Sequence, residues 1–336
     1  MKKVAYKAPS LYLIVCFLAG FVLPLISCGN GTDKYESNEG MIWHTEYHIA
    51  YRSDRNLGDS ILSVLSNVGK SLNFFDSTSV VSRVNRSGKS AVDSSFSDVY
   101  KMALRVNHIT DGAYDPTVSP LVTAWGFGKG HKATSDTLRL DSLLAFVGIN
   151  RTSLRNGVLE KKDARTEFNF SSIAKGFGCD RVGEMFHRLG VNDYMVEIGG
   201  EICAAGKSPR GGKWRVSVDK PSKSADDLSH ASQVIIEFTD MGMATSGNYR
   251  NYHEKNGRRY GHTMSPITGR PVETDVLSAT VLAPTAMEAD ALATAFMVIG
   301  SEKSRALAAK LKYPVMLILS GDSIWTSPQF KTLIIP

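Results

Sequence analysis

The chain has 336 residues, of which 43% are hydrophobic and 21% are charged, and this fits one large globular domain or two smaller ones with an ample core. Its formal net charge is +6, and three lysines within the first 27 residues supply half of that charge. No long basic run is interleaved with aromatic residues, so the composition argues against a nucleic-acid-binding protein.

The N-terminal segment is typical of a bacterial lipoprotein signal. Three lysines (Lys2, Lys3 and Lys7) precede an apolar stretch at residues 11–25, which is too short for a comfortable membrane span. The stretch runs into the sequence LISC at residues 25–28, which resembles a lipobox. We therefore predict a signal peptide at residues 1–27, a lipidated Cys28 that gives a stable membrane anchor, and a polar tether at residues 28–40. The alternatives are a signal peptide cleaved elsewhere and an uncleaved anchor.

From residue 41 onward, helices and short strands are intermixed. Apolar residues at helical spacing predict a helix over residues 57–72, and further helices are expected at residues 96–110, at 173–189 and after Thr285. Strands are predicted at residues 44–51, 167–170, 194–198, 214–218, 233–238, 277–282, 313–319 and 331–335. Polar loops are predicted at residues 82–86 and 111–120. This mixture predicts an α+β domain over residues 41–336.

The loop at residues 111–128 is rich in glycine, proline and aromatic residues. It has two interpretations: a buried aromatic loop, or a loop that binds a planar ring through backbone groups freed by glycine and proline. The glycines at its end do not form a dinucleotide fingerprint, because no strand and helix bracket them.

Ser171 and Ser172 precede the helix predicted over residues 173–189, and either can cap it. Lys175 falls in the first turns of that helix. A helix N-terminus with a lysine fits a phosphate cradle, because the free amides and the helix dipole favour an anion. The alternative is a lysine on the protein surface.

The helix after Thr285 carries a candidate metal site. Thr285 and Glu288 have the spacing of a capping box. Asp290 and Thr294 are four residues apart and share one helix face. A carboxylate and a hydroxyl stacked in this way can bind Mg²⁺, which takes oxygen ligands and leaves positions for a substrate phosphate. The alternative is an aspartate favoured by the helix dipole and a threonine bonded back to its own helix.

Cys179 and Cys203 lack the spacing of a zinc site. We expect both to be small buried hydrophobic residues. A disulfide between them in an oxidising compartment stays open as an alternative.

Several blocks together resemble the ApbE family, the FAD:protein FMN transferases of bacterial envelopes. The resemblance covers nearly all of residues 41–330, and its blocks occur in the family's order. They are residues 110–128 (TDGAYDPTVSPLVTAWGFG), 171–180 (SSIAKGFGCD), 196–201 (VEIGGE), 244–250 (ATSGNYR), 262–271 (HTMSPITGRP) and 288–295 (EADALATA).

The resemblance implies an α+β fold of T-fold-like character, with mixed sheets and flanking helices in two closely packed lobes and FAD between them. It implies Mg²⁺ as cofactor, held by Asp290, Thr294 and the main-chain oxygen of Ser172. It implies His262 as the catalytic histidine. It also implies FAD contacts from Met41, Phe75, Ala113, Tyr114, Asp115, Asn169, Lys175 and Met264.

The implied reaction moves FMN from FAD to a Ser or Thr hydroxyl of a target protein through a phosphoester bond and releases AMP. The implied acceptors carry a flavinylation motif and are subunits of Nqr- or Rnf-type redox complexes or other exported flavoproteins. A membrane-anchored protein that faces the periplasm fits these partners. The alternatives are an Mg²⁺-dependent FAD pyrophosphatase, which forms FMN and AMP, and a non-catalytic FAD-binding lipoprotein.

Three positions depart from the family pattern. Ser265 stands where an aspartate is frequent, and a carboxylate that orients His262 would be missing. Phe75 stands where tyrosine is frequent, so stacking remains without a hydrogen bond. Asn169 stands where an aspartate is frequent, which removes a charge beside the ligand.

Overall fold

The structure is a computed structural model that describes residues 34–127, 137–219, 232–247, 252–255, 258–261, 263–321 and 323–335. Residues 137–140, 232, 252–255 and 258–261 are described by their backbone alone. The predicted signal peptide, Cys28 and His262 lie outside the described residues. No helix within these ranges is long and apolar enough to cross a membrane.

One large antiparallel sheet organises the fold. The strands are, in chain order, β1 (Tyr35–Ile42), β2 (Thr45–Arg52), β3 (Lys89–Ala91), β4 (Thr152–Arg155), β5 (Val158–Lys161), β6 (Tyr194–Ile198), β7 (Glu201–Ala205), β8 (Trp214–Asp219), β9 (Ser232–Phe238), β10 (Met241–Gly247), β11 (Tyr252–Lys255), β12 (Arg258–Gly261), β13 (Val276–Ala283), β14 (Val315–Leu319) and β15 (Ser323–Thr326). In the described part of the chain, the large sheet has the order β1-β2-β6-β7-β10-β13-β14-β15. Three smaller sheets have the orders β3-β5-β4, β8-β9 and β11-β12.

Helices flank this sheet. They are α1 (Gly58–Leu72), α2 (Val80–Asn85), α3 (Ser94–Ile109), α4 (Ser119–Ala124), α5 (Thr137–Leu144), α6 (Ala174–Arg188), α7 (Ala286–Leu311) and α8 (Pro328–Lys331), with a 3-10 turn at Ile149–Arg151. Helix α7 is interrupted at Gly300, whose φ of 76° is a conformation that glycine adopts readily. The α+β class predicted from the sequence is confirmed, and Asp33–Pro336 form one compact unit.

Successive side chains of a strand point to opposite faces of the sheet, and in the large sheet other elements cover both faces. On β13, Val281 packs in a cluster with residues of α3 and α7, such as Phe96 and Phe296. The next residue, Leu282, packs in a separate cluster with Trp214 and Phe238 of the β8–β9 hairpin. A further cluster joins α1 and α6 to β2 and β6. The sheet is therefore the middle layer of the domain.

Two predictions near the ends of the domain were wrong, one about the tether and one about the last strand. Tyr35 to Gly40, which the sequence analysis placed in the tether, form most of β1 and pair with β2 in register from Tyr35–Arg52 to Ile42–Thr45. The strand predicted at residues 331–335 is absent. Ser327 caps helix α8 and Pro328 is its first residue, so the chain is helical as far as Lys331. After the helix, a single bridge joins Ile334 to Ile236.

Two predicted segments next to the candidate site also differ. Residues 82–86 were predicted as a polar loop, but most of them lie in α2, where the Ser79 hydroxyl accepts from the Ser82 amide at 3.1 Å. Residues 167–170, which were predicted as a strand, form no strand and have no partner strand. The Asn85 side chain replaces that partner, since its oxygen accepts from the Phe168 amide at 2.8 Å and its NH₂ group donates to the Phe168 carbonyl at 2.9 Å.

Candidate active site

The first turn of α7 is fixed on α6 by side-chain caps. The Thr285 hydroxyl accepts from the Glu288 amide at 3.1 Å, as predicted for the N-cap. The Asp180 carboxylate, which comes from α6, accepts from the amides of Ala286 and Met287, both at 2.8 Å. Amides at a helix start have no partners within the helix, so these bonds fix where α7 begins.

Two glycines let the backbone of α7 approach its neighbours closely. A Cβ atom on Gly176 of α6 would lie 2.2 Å from the Ala286 carbonyl oxygen, and one on Gly242 of β10 would lie 2.0 Å from the Ala286 nitrogen. At this approach the Gly176 amide donates to Oδ2 of Asp290 at 3.2 Å. The caps and the glycines together place Asp290 beside the start of α6.

A cavity of about 440 Å³ lies at this junction. Nine of the residues predicted from the sequence line it: Ala113, Tyr114, Asp115, Asn169, Ser172, Lys175, Met264, Asp290 and Thr294. Glu201, Thr245 and Ser246 line it as well. A cavity of this size, with several polar groups directed into it, is suited to a small-molecule ligand.

The candidate metal ligands are oxygen atoms of two parts of the chain, helix α7 and the segment that precedes α6. Asp290 is buried, and Oδ2 of its carboxylate holds one hydrogen bond, from the Gly176 amide. The Thr294 hydroxyl lies 3.1 Å from the Ser246 hydroxyl on β10. The Ser172 hydroxyl lies 3.1 Å from the phenolic oxygen of Tyr114.

These oxygens fit a hard divalent cation. The described ranges contain no group of three or more His, Cys, Asp or Glu side chains that could hold a metal. One carboxylate with hydroxyl and main-chain oxygens is the kind of partial site that Mg²⁺ uses when substrate phosphates and water complete its shell. The residues present therefore fit Mg²⁺ better than they fit zinc, which prefers nitrogen and sulfur ligands.

Lys175 forms an ion pair with Glu201, which is 2% exposed. Burial alone would lower the pKa of Lys175, but the carboxylates of Glu201 and Asp290 outweigh burial and raise it. Burial raises the pKa of the Asp290 carboxyl, which Lys175 and the Gly176 amide oppose. The cavity lining thus contains three buried carboxyl groups, those of Asp115, Glu201 and Asp290, and one ammonium group, and a bound cation would favour the charged form of the carboxyl groups.

The loop at residues 113–117 is held by Asp115. Its carboxylate accepts from the Thr117 amide at 2.9 Å, the Thr117 hydroxyl at 2.6 Å and the Ile149 amide at 2.9 Å. Burial raises the pKa of this carboxyl, and those hydrogen bonds oppose the shift. Asp115 lines the cavity, and these bonds show that its carboxylate also shapes the loop that carries Ala113 and Tyr114.

The wall formed by residues 169–172 is held by polar side chains. The Asn169 side-chain oxygen accepts from the amide and the hydroxyl of Ser171, at 2.9 and 2.6 Å. A buried lysine, Lys161, donates to the carbonyl oxygens of Val84, Ala164 and Thr166 at 3.0, 2.9 and 2.8 Å. Lys161 therefore ties the end of α2 to the segment that leads into the cavity wall.

Phe75 and Met41 lie outside the main cavity. Phe75 is 63% exposed and lines a second cavity of about 230 Å³ together with Trp43 and Phe74. Both cavities have Ser171 and Lys175 in their lining. Met41 is 64% exposed, and neither cavity includes it, so its predicted contact with FAD stays a prediction.

Ser265 caps a turn of its own chain. Its hydroxyl accepts from the amides of Ile267 and Thr268 at 3.3 and 3.2 Å, and its carbonyl accepts from the Gly269 amide at 2.9 Å. An aspartate makes the same local bonds. The departure at this position therefore leaves the turn intact.

Sequence reasoning did not assign roles to Glu201, Ser246 or Asp180. An acidic residue directly after Gly199 and Gly200 was a usable signal for Glu201, since both glycines have positive φ and form a tight turn. Nothing local marked Ser246 or Asp180, because their contacts come from other elements.

Cys179 and Cys203 are both free thiols. Cys179 is buried, and its thiol donates to the Glu201 carbonyl at 3.2 Å. Cys203 is partly buried. The expectation of small buried side chains holds for Cys179, and the disulfide alternative is not realised.

The chain is similar in sequence to proteins named FAD:protein FMN transferase. The FAD:protein FMN transferase of Haemophilus influenzae is 36% identical over 331 residues, which cover 93% of this chain and 94% of the relative. The FAD:protein FMN transferase of Vibrio cholerae is 38% identical over 291 residues, which cover 83% and 85%. Both relatives are named as transferase enzymes.

Solved structures and a family profile give the same result. The flavin transferase ApbE from Vibrio cholerae superposes with a TM-score of 0.80 at 35% identity, over 89% of this chain and 99% of that protein. The profile of the ApbE family matches residues 43–318. The chain therefore belongs to the ApbE family, as its sequence motifs predicted.

Proposed function

We propose that this chain is an Mg²⁺-dependent FAD:protein FMN transferase that attaches FMN to a Ser or Thr hydroxyl of a target protein and releases AMP. The observation that carries the proposal is the convergence of Ser172, Lys175, Asp290 and Thr294 on one cavity. Transferase activity of this kind is also what the names of the relatives state.

The shape of the site supports FAD as the donor. FAD has two ring systems joined by a diphosphate, and here two adjoining cavities share Lys175 in their lining. A lysine at that junction is placed to bind the diphosphate. The smaller cavity offers aromatic side chains, including Phe75, on which a ring can stack.

The chain's own residues supply positioning and charge. Asp290 and Thr294, with the main-chain oxygen of Ser172, would hold Mg²⁺. When bound, Mg²⁺ neutralises the diphosphate and the departing AMP, which is the main source of catalysis in phosphoryl transfer. Lys175 adds a positive charge on the same side, at the amide-rich start of α6.

The proposed transfer step needs only FAD and the acceptor hydroxyl as reactants. The acceptor hydroxyl oxygen attacks the phosphorus next to riboflavin, and a new P–O bond forms. The bond from that phosphorus to the bridging oxygen breaks, and AMP leaves with this oxygen. We assign the hydroxyl proton to His262, because an imidazole titrates near neutral pH and the residue lies in the family block HTMSP.

Mass spectrometry of an acceptor protein after incubation with FAD and Mg²⁺ tests the reaction class. A mass gain equal to FMN less one water, as a phosphoester requires, on a Ser or Thr residue supports the proposal. AMP release that is equally fast without acceptor points instead to a pyrophosphatase, and bound FAD with no AMP points to a non-catalytic binder. Wild-type rates from Asp290→Ala would remove the metal argument, whereas wild-type rates from His262→Ala would remove only the assignment of the base.

The cellular setting is part of the same proposal. Residues 1–28 support a lipoprotein anchored through Cys28 and facing the periplasm, where exported flavoproteins and Nqr- or Rnf-type subunits could serve as acceptors. Metabolic labelling with a radioactive fatty acid checks the anchor. The intact chain should take up label and the Cys28→Ser variant should not; equal labelling of both would contradict it.

A further inference from the structure

Glu201 is the least exposed charged side chain that lines the main cavity. Its backbone is fixed by rigid neighbours. It opens β7, pairs with Ile198 of β6, and follows the turn at Gly199 and Gly200. The Cys179 thiol donates to its carbonyl from α6. The Glu201 carboxylate therefore occupies a place that the fold determines.

Lys175 lines the same cavity as the carboxylates of Glu201 and Asp290. It is ion-paired with Glu201, and the amide of the next residue, Gly176, donates to Oδ2 of Asp290 at 3.2 Å, which brings Asp290 near Lys175. The negative charge of Asp290 also raises the pKa of Lys175. About a third of the Lys175 side chain is exposed, and the side chain is long and flexible. Without Glu201, the strongest remaining partner for this ammonium group would be Asp290, the carboxylate that a metal ion needs.

We propose that Glu201 is a positioning residue: it holds the Lys175 ammonium group away from Asp290 and so keeps the Asp290 carboxylate available to a divalent cation. This inference rests on the proposed metal site. It assigns Glu201 an effect on metal affinity that is transmitted through Lys175, and it requires no contact between Glu201 and the metal.

Two variants separate this role from a simple charge effect. Glu201→Met and Glu201→Gln remove the same negative charge at similar volume, but only glutamine keeps an oxygen that accepts from Lys175. Binding of Mn²⁺ to FAD-free protein, measured by electron paramagnetic resonance, gives a readout that needs no catalysis. We expect Glu201→Met to weaken Mn²⁺ binding about tenfold or more, in the range seen for residues that orient metal ligands. Glu201→Gln should lose distinctly less, and equal losses would overturn the proposal.

A second comparison uses Lys175 itself. In a Lys175→Met background there is no ammonium group to restrain, so adding Glu201→Met should change Mn²⁺ affinity by less than about twofold, although the same substitution has the large effect in the wild-type background. The same loss in both backgrounds would show that Glu201 acts by charge alone. Asp193→Asn is the control, because it also removes the charge of a buried carboxylate, which is paired with the exposed Arg52 just before the start of β6. It should bind Mn²⁺ like the wild type.

The outcomes also separate this inference from the function on which it rests. If the wild type transfers FMN but binds no Mn²⁺ either with or without FAD, the metal role proposed for Asp290 fails and the role of Glu201 fails with it. If Mn²⁺ binds only together with FAD, the same variants are compared in the presence of FAD. If the wild type binds Mn²⁺ and the Glu201 variants bind it equally well, only the positioning role is lost.

Discussion

Lys161 is buried and Lys175 is partly buried, and the fold holds these two lysines in different ways. Lys161 donates to the main-chain oxygens of Val84, Ala164 and Thr166. Lys175 pairs with the carboxylate of Glu201 in a cavity. The carbonyl groups around Lys161 are fixed by the backbone, so its ammonium group has one position. The Lys175 ammonium group can leave the Glu201 carboxylate and pair with a phosphate instead. The first arrangement builds structure and the second is available to a ligand.

Replacement of Lys161 should give the largest loss of stability. Lys161→Met leaves the buried carbonyl oxygens of Val84 and Thr166, and the partly buried one of Ala164, without their donor, and each buried loss costs about 1–3 kcal/mol. We expect the free energy of unfolding to fall by about 3 kcal/mol or more in urea titrations, while FMN transfer per folded molecule is kept. Lys162→Met, at the exposed neighbouring position, is the control and should stay within about 0.5 kcal/mol of the wild type. A stable Lys161→Met protein would contradict the structural role.

Replacement of Lys175 should show the opposite pattern. Lys175→Met removes a charge beside the proposed diphosphate position, and we expect kcat/KM for FMN transfer to fall about 100-fold, or about 2.7 kcal/mol in the barrier. The midpoint of urea unfolding should move less than for Lys161→Met, because the remaining carboxylate can be protonated. An equal loss of stability in the two variants would remove the distinction between these lysines.

The contact between α6 and α7 should be sensitive to a single methyl group. In Gly176→Ala the new Cβ would meet the Ala286 carbonyl at 2.2 Å, so the helices must separate. Overpacking of this kind costs about 1–3 kcal/mol, and FMN transfer should fall about tenfold as Asp290 moves away from Lys175. Gly212→Ala is the matched control, since a Cβ there has no atom within 4 Å. Equal activity in both variants would show that this contact does not set the site.

The smallest effect is expected at Ser265. Because an aspartate caps the same turn, Ser265→Asp should change kcat/KM by less than about threefold and leave stability within about 0.5 kcal/mol. A large gain in transfer rate would show that a carboxylate here assists the reaction, as the family pattern first suggested.

Local signals and family motifs marked residues that line one cavity, whereas some of the elements around that cavity were predicted wrongly. Spacing placed Asp290 and Thr294 on one helix face and Lys175 at a helix start, because helical period and caps are local signals. The resemblance supplied the loop residues Ala113 and Tyr114, which no period marks. These residues meet in one cavity.

What could not be predicted depends on contacts between distant parts of the chain. The Asn85 side chain bonds the amide and the carbonyl of Phe168, so residues 167–170 do not pair with another strand. Glu288 pairs with Arg105 of α3 at 2.9 Å, a contact that its place in the predicted capping box did not indicate. Glu201 gained a role only when the fold brought β7 against α6. Tertiary contacts of this kind override local preference.

The proposed metal site is tested most directly by anomalous diffraction from crystals that contain Mn²⁺ and FAD. We expect a manganese peak within coordination distance of Asp290 and Thr294, with the FAD diphosphate completing its shell and Lys175 on the same diphosphate. A peak elsewhere, or a diphosphate bound far from Asp290, would contradict it.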